Sequence, residues 1–542
     1  MTITTPMTTI AASERRLACT GTAILLNMLA VTTGLSAESA DMPPVARPSR
    51  APIPLVEGVV PPLRPVGTAV TMAMNFLKKA DGGYVPGRID GELAAYFSDA
   101  FMSVDGTRST RRIIYPARLH GYFIRTFLRY YAYTGEREWL SRARDLADWN
   151  IAHSTPADST YPHLAYSTFE KGSPAGHADK GSIQPDKAAF MAGSYLLVFE
   201  STGEIRYLEA ARRVAETLLR HQRADGSWPF RVIPGSGEIF QDRGGAPVFF
   251  VEFFEQMLRH EANSAYSRAR DQSFAYLVAR NVEQSHWSTY HEDVGVKPDT
   301  HIAAEPLAFT ARYLFRHAVE HPEYLAMGRR ILRQLDDRLV HTTGHGAAPA
   351  PALAEQTSFE HIMPGHTARY GAALAYLYVT TRDETTRRRA LSALHGVTYM
   401  QDEAGMLKTF FYDVKKQTDR GIEDRVWFSQ HLYSVYHLLE CMAIFPKLAP
   451  SGKNHLLGST TALRDVSYAP SSLSYAVMAP AQVSAKLRAA PASVEVGGRP
   501  LRRLDRLPGP GERGWFFDSA TGLFTAAHDA GTAEIVPGGP GR

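Results

Sequence analysis

Cysteine is almost missing from this sequence: there are two in 542 residues, Cys19 and Cys441. Cys19 opens an N-terminal apolar run, so the chain beyond that run keeps a single thiol. That excludes an intrachain disulfide and leaves too few ligands for a thiolate metal site. Cys441 follows Leu438 and Leu439 and is expected to pack as a small hydrophobe. A surplus of one charge sign is missing too. The 59 Lys and Arg are interspersed with 55 Asp and Glu, for a net charge of +4. This leaves no footprint for nucleic acid and no polybasic run for a membrane surface. Beyond the N-terminal run no apolar stretch is long enough to span a bilayer, so no stable membrane span is expected once a leader is cleaved. Neither G-x-x-x-x-G-K-[ST] nor G-x-S-x-G occurs, which removes the signals for a phosphate loop and for a serine hydrolase. His361 and His366 are not at H-x-x-x-H or H-E-x-x-H spacing, so neither a metal nor another cofactor is expected.

What is present begins with that leader. Arg15 and Arg16 precede an apolar run from Leu17 to about Leu35, and Ser36, Ala37, Ser39 and Ala40 follow. This is the layout of a secretory signal over 1–40, implying a secreted or periplasmic protein. Residues 41–64 are Pro-rich and are expected to form an extended linker. From there to 445 the pattern is helical. Leu119, Phe123, Phe127 and Tyr131 recur every fourth residue, and Ile205, Leu208, Ala211, Ala215 and Leu218 make a second stripe.

An internal repeat organises this region. TGEREWLSRARDLADW starts at Thr134 and TGEIRYLEAARRVAET at Thr202. Weaker copies carry Tyr266 and Tyr324 where these carry Trp139 and Tyr207, an interval of roughly 60 residues, longer than the common solenoid repeats. Helices are expected near 66–79, 113–133, 137–153, 185–202, 205–222, 247–261, 265–281, 302–319, 322–340, 365–381, 384–400 and 426–444. Six hairpins that close on themselves need no polar end cap. The expected fold is therefore mainly α, an (α/α)6 toroid over 65–445. Short alternating runs with Gly and Pro turns over 446–542 read as a small C-terminal antiparallel β domain with a loose tail.

The hairpin repeat, together with IQPDKAAFMAGSYLLVFESTGEIRYLEAA from Ile183 and QRADGSWPFRV from Gln222, resembles the six-hairpin glycosidase-like superfamily. That group holds unsaturated glucuronyl and rhamnogalacturonyl hydrolases, and similar toroids carry polysaccharide lyases. The resemblance implies a poly- or oligosaccharide substrate. It also marks Asp186, the acid before an apolar helix, as an acid or base of catalysis.

Polar and aromatic residues gather in the segments before the expected inner helices, where a rigid scaffold presents its sites. Arg118 and His120 stand before the second helix, and Tyr166, Asp186 and Lys187 before the fourth. Trp228 and Arg231 come next, then Tyr290, Glu292 and Asp293, then His361, His366 and Arg369, and finally Asp424, Trp427 and His431. Glycoside hydrolysis needs two carboxyl groups, one to protonate the leaving oxygen and one to activate water or attack. Asp186 with Glu292 or Asp293 would supply them. Asp is equally favoured as a plain helix N-cap, a role Asp186 would also fill. His366 and Tyr290 suit a different chemistry, proton abstraction beside a uronate carboxylate, as in a lyase or a C5-epimerase. The remaining residues are candidates for substrate binding: arginines for a carboxylate, aromatics for sugar faces. Core packing is the ordinary role of any one of those aromatics. A glycan-binding protein without catalysis would need the aromatics and none of the tuned carboxylates.

Overall fold

A computed structural model describes residues 53–80, 87–89, 92–94, 99–102, 108–112, 115–167, 181–287, 301–342, 350–409, 411–415, 418–419 and 425–538. The expected leader and the catalytic candidates Tyr290, Glu292 and Asp293 lie outside these residues, as does Asp424. Of Trp427 only the backbone is described.

Among the described residues twelve α-helices alternate between an inner and an outer ring. The inner helices are α2 (Pro116–Thr134), α4 (Pro185–Thr202), α6 (Pro247–His260), α8 (Ala304–His317), α10 (Pro364–Thr381) and α12 (Phe428–Met442). The outer ones are α1 (Val66–Ala80), α3 (Arg137–Ala152), α5 (Ile205–His221), α7 (Ser264–Tyr276), α9 (Glu323–Arg338) and α11 (Glu384–Tyr399). Consecutive inner helices pack on one another and α12 packs back on α2, so the ring closes. Composition explains which helix goes where. Helix α4 is apolar nearly all round and buries nearly every residue, whereas α5 buries Tyr207, Leu208, Ala211, Val214 and Leu218 and exposes Arg206, Glu209 and Glu216.

The hairpin turns follow from the T-G pairs. Gly135 and Gly203 take left-handed backbone at φ 76° and 78°, and their N–H groups cap α2 and α4 on the carbonyls of Tyr131 and Phe199. At the other end Pro116, Pro185, Pro247 and Pro364 each open an inner helix. Proline suits that position because the first helical N–H has no partner to lose.

Two parts of the sequence reading change in detail. The Pro-rich segment does not stay a loose tether to its end: Val60 and Leu63 donate their N–H groups to Ser392 and Thr398 of α11, and Tyr399 donates to the Pro61 carbonyl. Outer helix α7 runs on into π-helical turns over Leu277–Glu283. The C-terminal region forms two antiparallel sheets of four and five strands between His455 and Pro537. It docks on the C-terminal ends of inner helices. Tyr131 Oη accepts from Val466 N, Glu200 from Ala462 N, and His455 stacks on Tyr133 at 4.1 Å. Cys441 is buried in the core, and burial pushes its thiol well above the ordinary range.

Candidate functional site at the N-terminal mouth of the ring

The first turns of α2, α4, α8, α10 and α12 bring one buried polar cluster together. Its centre is Glu305 at the start of α8, with no exposed surface. Arg118 of α2 ion-pairs with its Oε2, Tyr122 Oη donates to its Oε1 at 2.9 Å, and Arg369 of α10 lies 3.7 Å away. Burial alone would raise the Glu305 pKa. Arg118 and Arg369, with His366 and Lys187 behind them, outweigh that and hold it well below the usual carboxylate range. Glu305 is therefore ionised across the physiological range.

The cluster extends on both sides of this centre. Arg369 Nη2 donates to Tyr122 Oη at 3.2 Å, and Arg369 Nη1 sits 3.1 Å from His366 Nδ1. A guanidinium has no acceptor, so Nδ1 accepts, and the proton of a neutral ring is on Nε2. That nitrogen lies 3.2 Å from the amide nitrogen of Gln430, whose Oε1 is buried and unbonded. Turning the amide over lets Oε1 accept from His366 Nε2–H. Helices α10 and α12 come this close because residue 365 is glycine: a Cβ there would stand 2.9 Å from that of Tyr433.

Asp186 stands on the opposite side, in the first turn of α4. The N-cap of α4 is Gln184, so Asp186 stands inside the first turn and is not the N-cap residue. Its Oδ1 accepts from Lys187 N at 2.8 Å, and its Oδ2 from Lys187 Nζ at 3.0 Å and from Ala246 N at 2.9 Å. Ala246 precedes α6, so the carboxylate ties two inner helices together. Gly245 makes room for it, since a Cβ there would fall 3.0 Å from Asp186 Cβ. Lys187 reaches from Asp186 into the field of Glu305. Among the described residues the cluster thus holds two carboxylates and three cations, under the positive ends of the inner helices.

No family model and no curated protein matches the sequence. Solved structures do match. A D-mannose isomerase superposes with a TM-score of 0.51 at 14% identity, over 69% of this chain and 96% of its own. That likeness shows the fold alone, a closed (α/α)6 ring. An unsaturated glucuronyl hydrolase specific for heparin aligns with a TM-score of 0.49 at 12% identity, over 71% of this chain and 99% of that one. Cellobiose 2-epimerase from Spirochaeta thermophila aligns with 0.48 at 13%, over 71% and 98%.

Within this toroid the other sequence candidates separate. His120 is buried away from the mouth, bonded to Asn150 of α3 at 3.1 Å and edge-on to Trp149. Trp228 is a core residue and no sugar platform: it stacks on Phe250 at 3.9 Å and donates to the Leu218 carbonyl. Arg231 is buried between the rings of Phe230 and Phe240, on a strand whose Val232 bridges to Ile183 just before α4. His361 lies in a short strand pairing with residue 413, its ring against Phe359 at 3.6 Å. Tyr166 is half-buried beside the start of α2, its carbonyl accepting from Ala117 N. The sequence reading missed Glu305, Tyr122, Gln430 and Tyr433. An acid in the first turn of an otherwise apolar helix, AAEPLAF, was the available signal, the same one that marked Asp186.

His431 is a brace between elements. Its Nδ1 accepts from Leu407 N at 3.1 Å and its Nε2 donates to the Ala73 carbonyl at 2.9 Å. Protonating Nδ1 would set two donors against each other, and burial lowers the pKa from 6.5 to about 4. A depressed histidine leaves the unfolded chain binding more protons, so its stabilisation is complete above pH 6.5 and drains away as pH falls toward 4. The gap corresponds to about 3 kcal/mol. Urea unfolding midpoints should therefore fall over that window. His431→Gln should fall less steeply than wild type, and equal slopes would remove His431 as a source.

Proposed function

We propose that this chain is an exported glycoside hydrolase acting on uronic-acid-containing poly- or oligosaccharides at the N-terminal mouth of the ring. The observation that carries the reading is the meeting of Asp186 and Glu305 with Arg118, Lys187 and Arg369. Three cations and the helix N-termini outweigh two carboxylates, so the mouth favours an anionic sugar. An arginine presents two parallel donors to a carboxylate. Glu305, held ionised, fits the base, nucleophile or charge-stabilising role and not the proton donor. The proton would come from Asp186, or from Glu292 or Asp293.

A second reading rests on His366. Its ring is fixed by Arg369 on one nitrogen and Gln430 on the other, beside a neutral tyrosine, Tyr122, whose pKa burial pushes well above its usual value. If Arg369 turns to a substrate carboxylate, the Nδ1 lone pair of His366 is freed to abstract the proton next to it, leading to β-elimination or C5-epimerisation.

One assay separates these. Incubation with uronate polysaccharides and their unsaturated oligosaccharides is followed by ultraviolet absorbance and by reducing ends. Hydrolysis gives new reducing ends with no gain of the unsaturated-uronate band, or loss of a band already present. A gain of the band means elimination and displaces the hydrolase reading. Inverted C5 stereochemistry with neither change means epimerisation. Saturable binding with no product means a glycan-binding protein.

A further inference from the structure

The inner ring has a second polar mouth, at the C-terminal ends of the inner helices. The rings of Tyr122, Phe190 and Phe309 close it off from the first, with Tyr122 4.6 Å from Phe190 and 6.0 Å from Phe309. Below them opens a cavity of about 330 Å³, counted with its solvent-open part. Arg125, Arg312, Arg316, Glu252, Gln256 and Tyr436 stand on its wall.

On this wall Arg312 takes the closest carboxylates. Arg312 is accounted for: both oxygens of Glu440 accept from its Nε at 3.0 and 3.1 Å, and Glu252 lies 3.5 Å from its Nη1. Arg125 is buried, yet it donates only to neutral oxygens, Ser194 Oγ at 3.0 Å and the Phe190 carbonyl at 3.1 Å. Among the described residues no carboxylate forms an ion pair with Arg125 or with Arg316. The Oε1 of Gln256 is buried there without a hydrogen bond. Arg125 and Gln256 converge over a glycine: a Cβ on Gly193 would fall 2.7 Å from Arg125 Nη2 and 2.9 Å from Gln256 Oε1. Complementing a helix dipole explains Arg316, in the last turn of α8. It does not explain Arg125, which is mid-helix in α2. Glu252 acts on Arg125 from beyond ion-pair distance, so this buried guanidinium lacks a direct ion pair, and a bound anion would supply one.

We propose that this mouth binds a small carboxylate anion between Arg125 and Arg316, with the Gln256 amide, turned over so that its NH2 donates to the anion, as a further ligand. Glu252 on the wall disfavours a dianion, so a monoanion fits better than phosphate. The apolar floor, with the Arg125 guanidinium 4.2 Å above the Phe190 ring, suits a flat group.

The test is calorimetric titration of the full chain with sodium glucuronate at constant ionic strength, against glucose and inorganic phosphate. Wild type should bind glucuronate saturably and glucose not at all. Gly193→Ala keeps every charge but pushes Arg125 and Gln256 out of place, and should weaken the binding by about tenfold or more, as should Arg125→Met. Arg316→Ala, at the exposed rim, guards against a folding defect in Arg125→Met and should also weaken it. Glucuronate held only at the opposite mouth would be unaffected by Gly193→Ala, and that result would overturn the proposal. So would phosphate binding in preference to glucuronate, or glucose binding equally well. A failure of turnover on uronate polysaccharides would bear on the N-terminal mouth alone.

Discussion

Glu305→Gln should abolish turnover and cost the fold several kcal/mol at neutral pH. The carboxylate is the counter-charge of Arg118 and Arg369, and Arg369 has no exposed surface. The amide leaves two guanidinium groups sharing a buried site without an anion, and breaking such a pair costs about 3–5 kcal/mol. It also presents an NH2 group where Arg118 or Tyr122 now donates. If Glu305 takes part in proton transfer or in stabilising a cationic transition state, the further loss in rate is on the order of a hundred- to ten-thousand-fold. The pH dependence gives a fingerprint of the charge. The Glu305 pKa lies well below the ordinary 4.5, so the stability it contributes is present above pH 4.5 and is lost as pH falls toward the folded-state value. The stability gap between wild type and Glu305→Gln should therefore be flat above pH 4.5 and shrink below it, read as urea midpoints at each pH. A gap that stays constant into strong acid would mean that the ionised carboxylate is not what the cluster needs.

Much of the fold could be read from the chain because its signals are local and repeated. The apolar stripes of α2 and α5 and the T-G turns at Gly135 and Gly203 each follow from short-range chemistry, and the stripes recur around the ring. The site was less legible, because closeness to a helix start does not say which way a side chain faces. Arg118 and Tyr122 are four apart and share a face, toward Glu305. His120 lies between them in sequence but about 200° around the helix from Arg118, and it faces Asn150. The same phase divides Gln430 and Tyr433, three apart and toward the mouth, from His431, toward Ala73. Applied to the start of α2, that rule recovers Tyr122 from Arg118. Glu305 needed the ring itself, since only closure brings α8 opposite α2.

Asp186→Asn should be strongly destabilising, against what a simple helix cap would show. An N-cap Asp tolerates Asn because one oxygen suffices for the first-turn N–H groups. Asp186 uses both: Lys187 N on Oδ1, and Ala246 N with Lys187 Nζ on Oδ2. Whichever way the amide turns, its NH2 meets a donor, and the nearly buried Lys187 loses its counter-charge. A cost of about 3–5 kcal/mol follows. Low activity in this single variant would therefore mix folding with chemistry, and a double variant separates them. Asp186→Asn with Lys187→Met removes both charges together, so the pair should be less unstable than the sum of its parts, with a coupling of about 0.5–3 kcal/mol. Turnover is the deciding measurement. Lys187→Met alone sets the loss due to the missing cation. If Asp186 only clamps α4 to α6, the double variant turns over as well as Lys187→Met in proportion to its folded fraction. If it carries the proton to the leaving oxygen, turnover per folded molecule stays a hundredfold or more below Lys187→Met, about the worth of a general acid. We expect the second result. Turnover per folded molecule equal to that of Lys187→Met would reduce Asp186 to the clamp and pass the proton donor to Glu292 or Asp293.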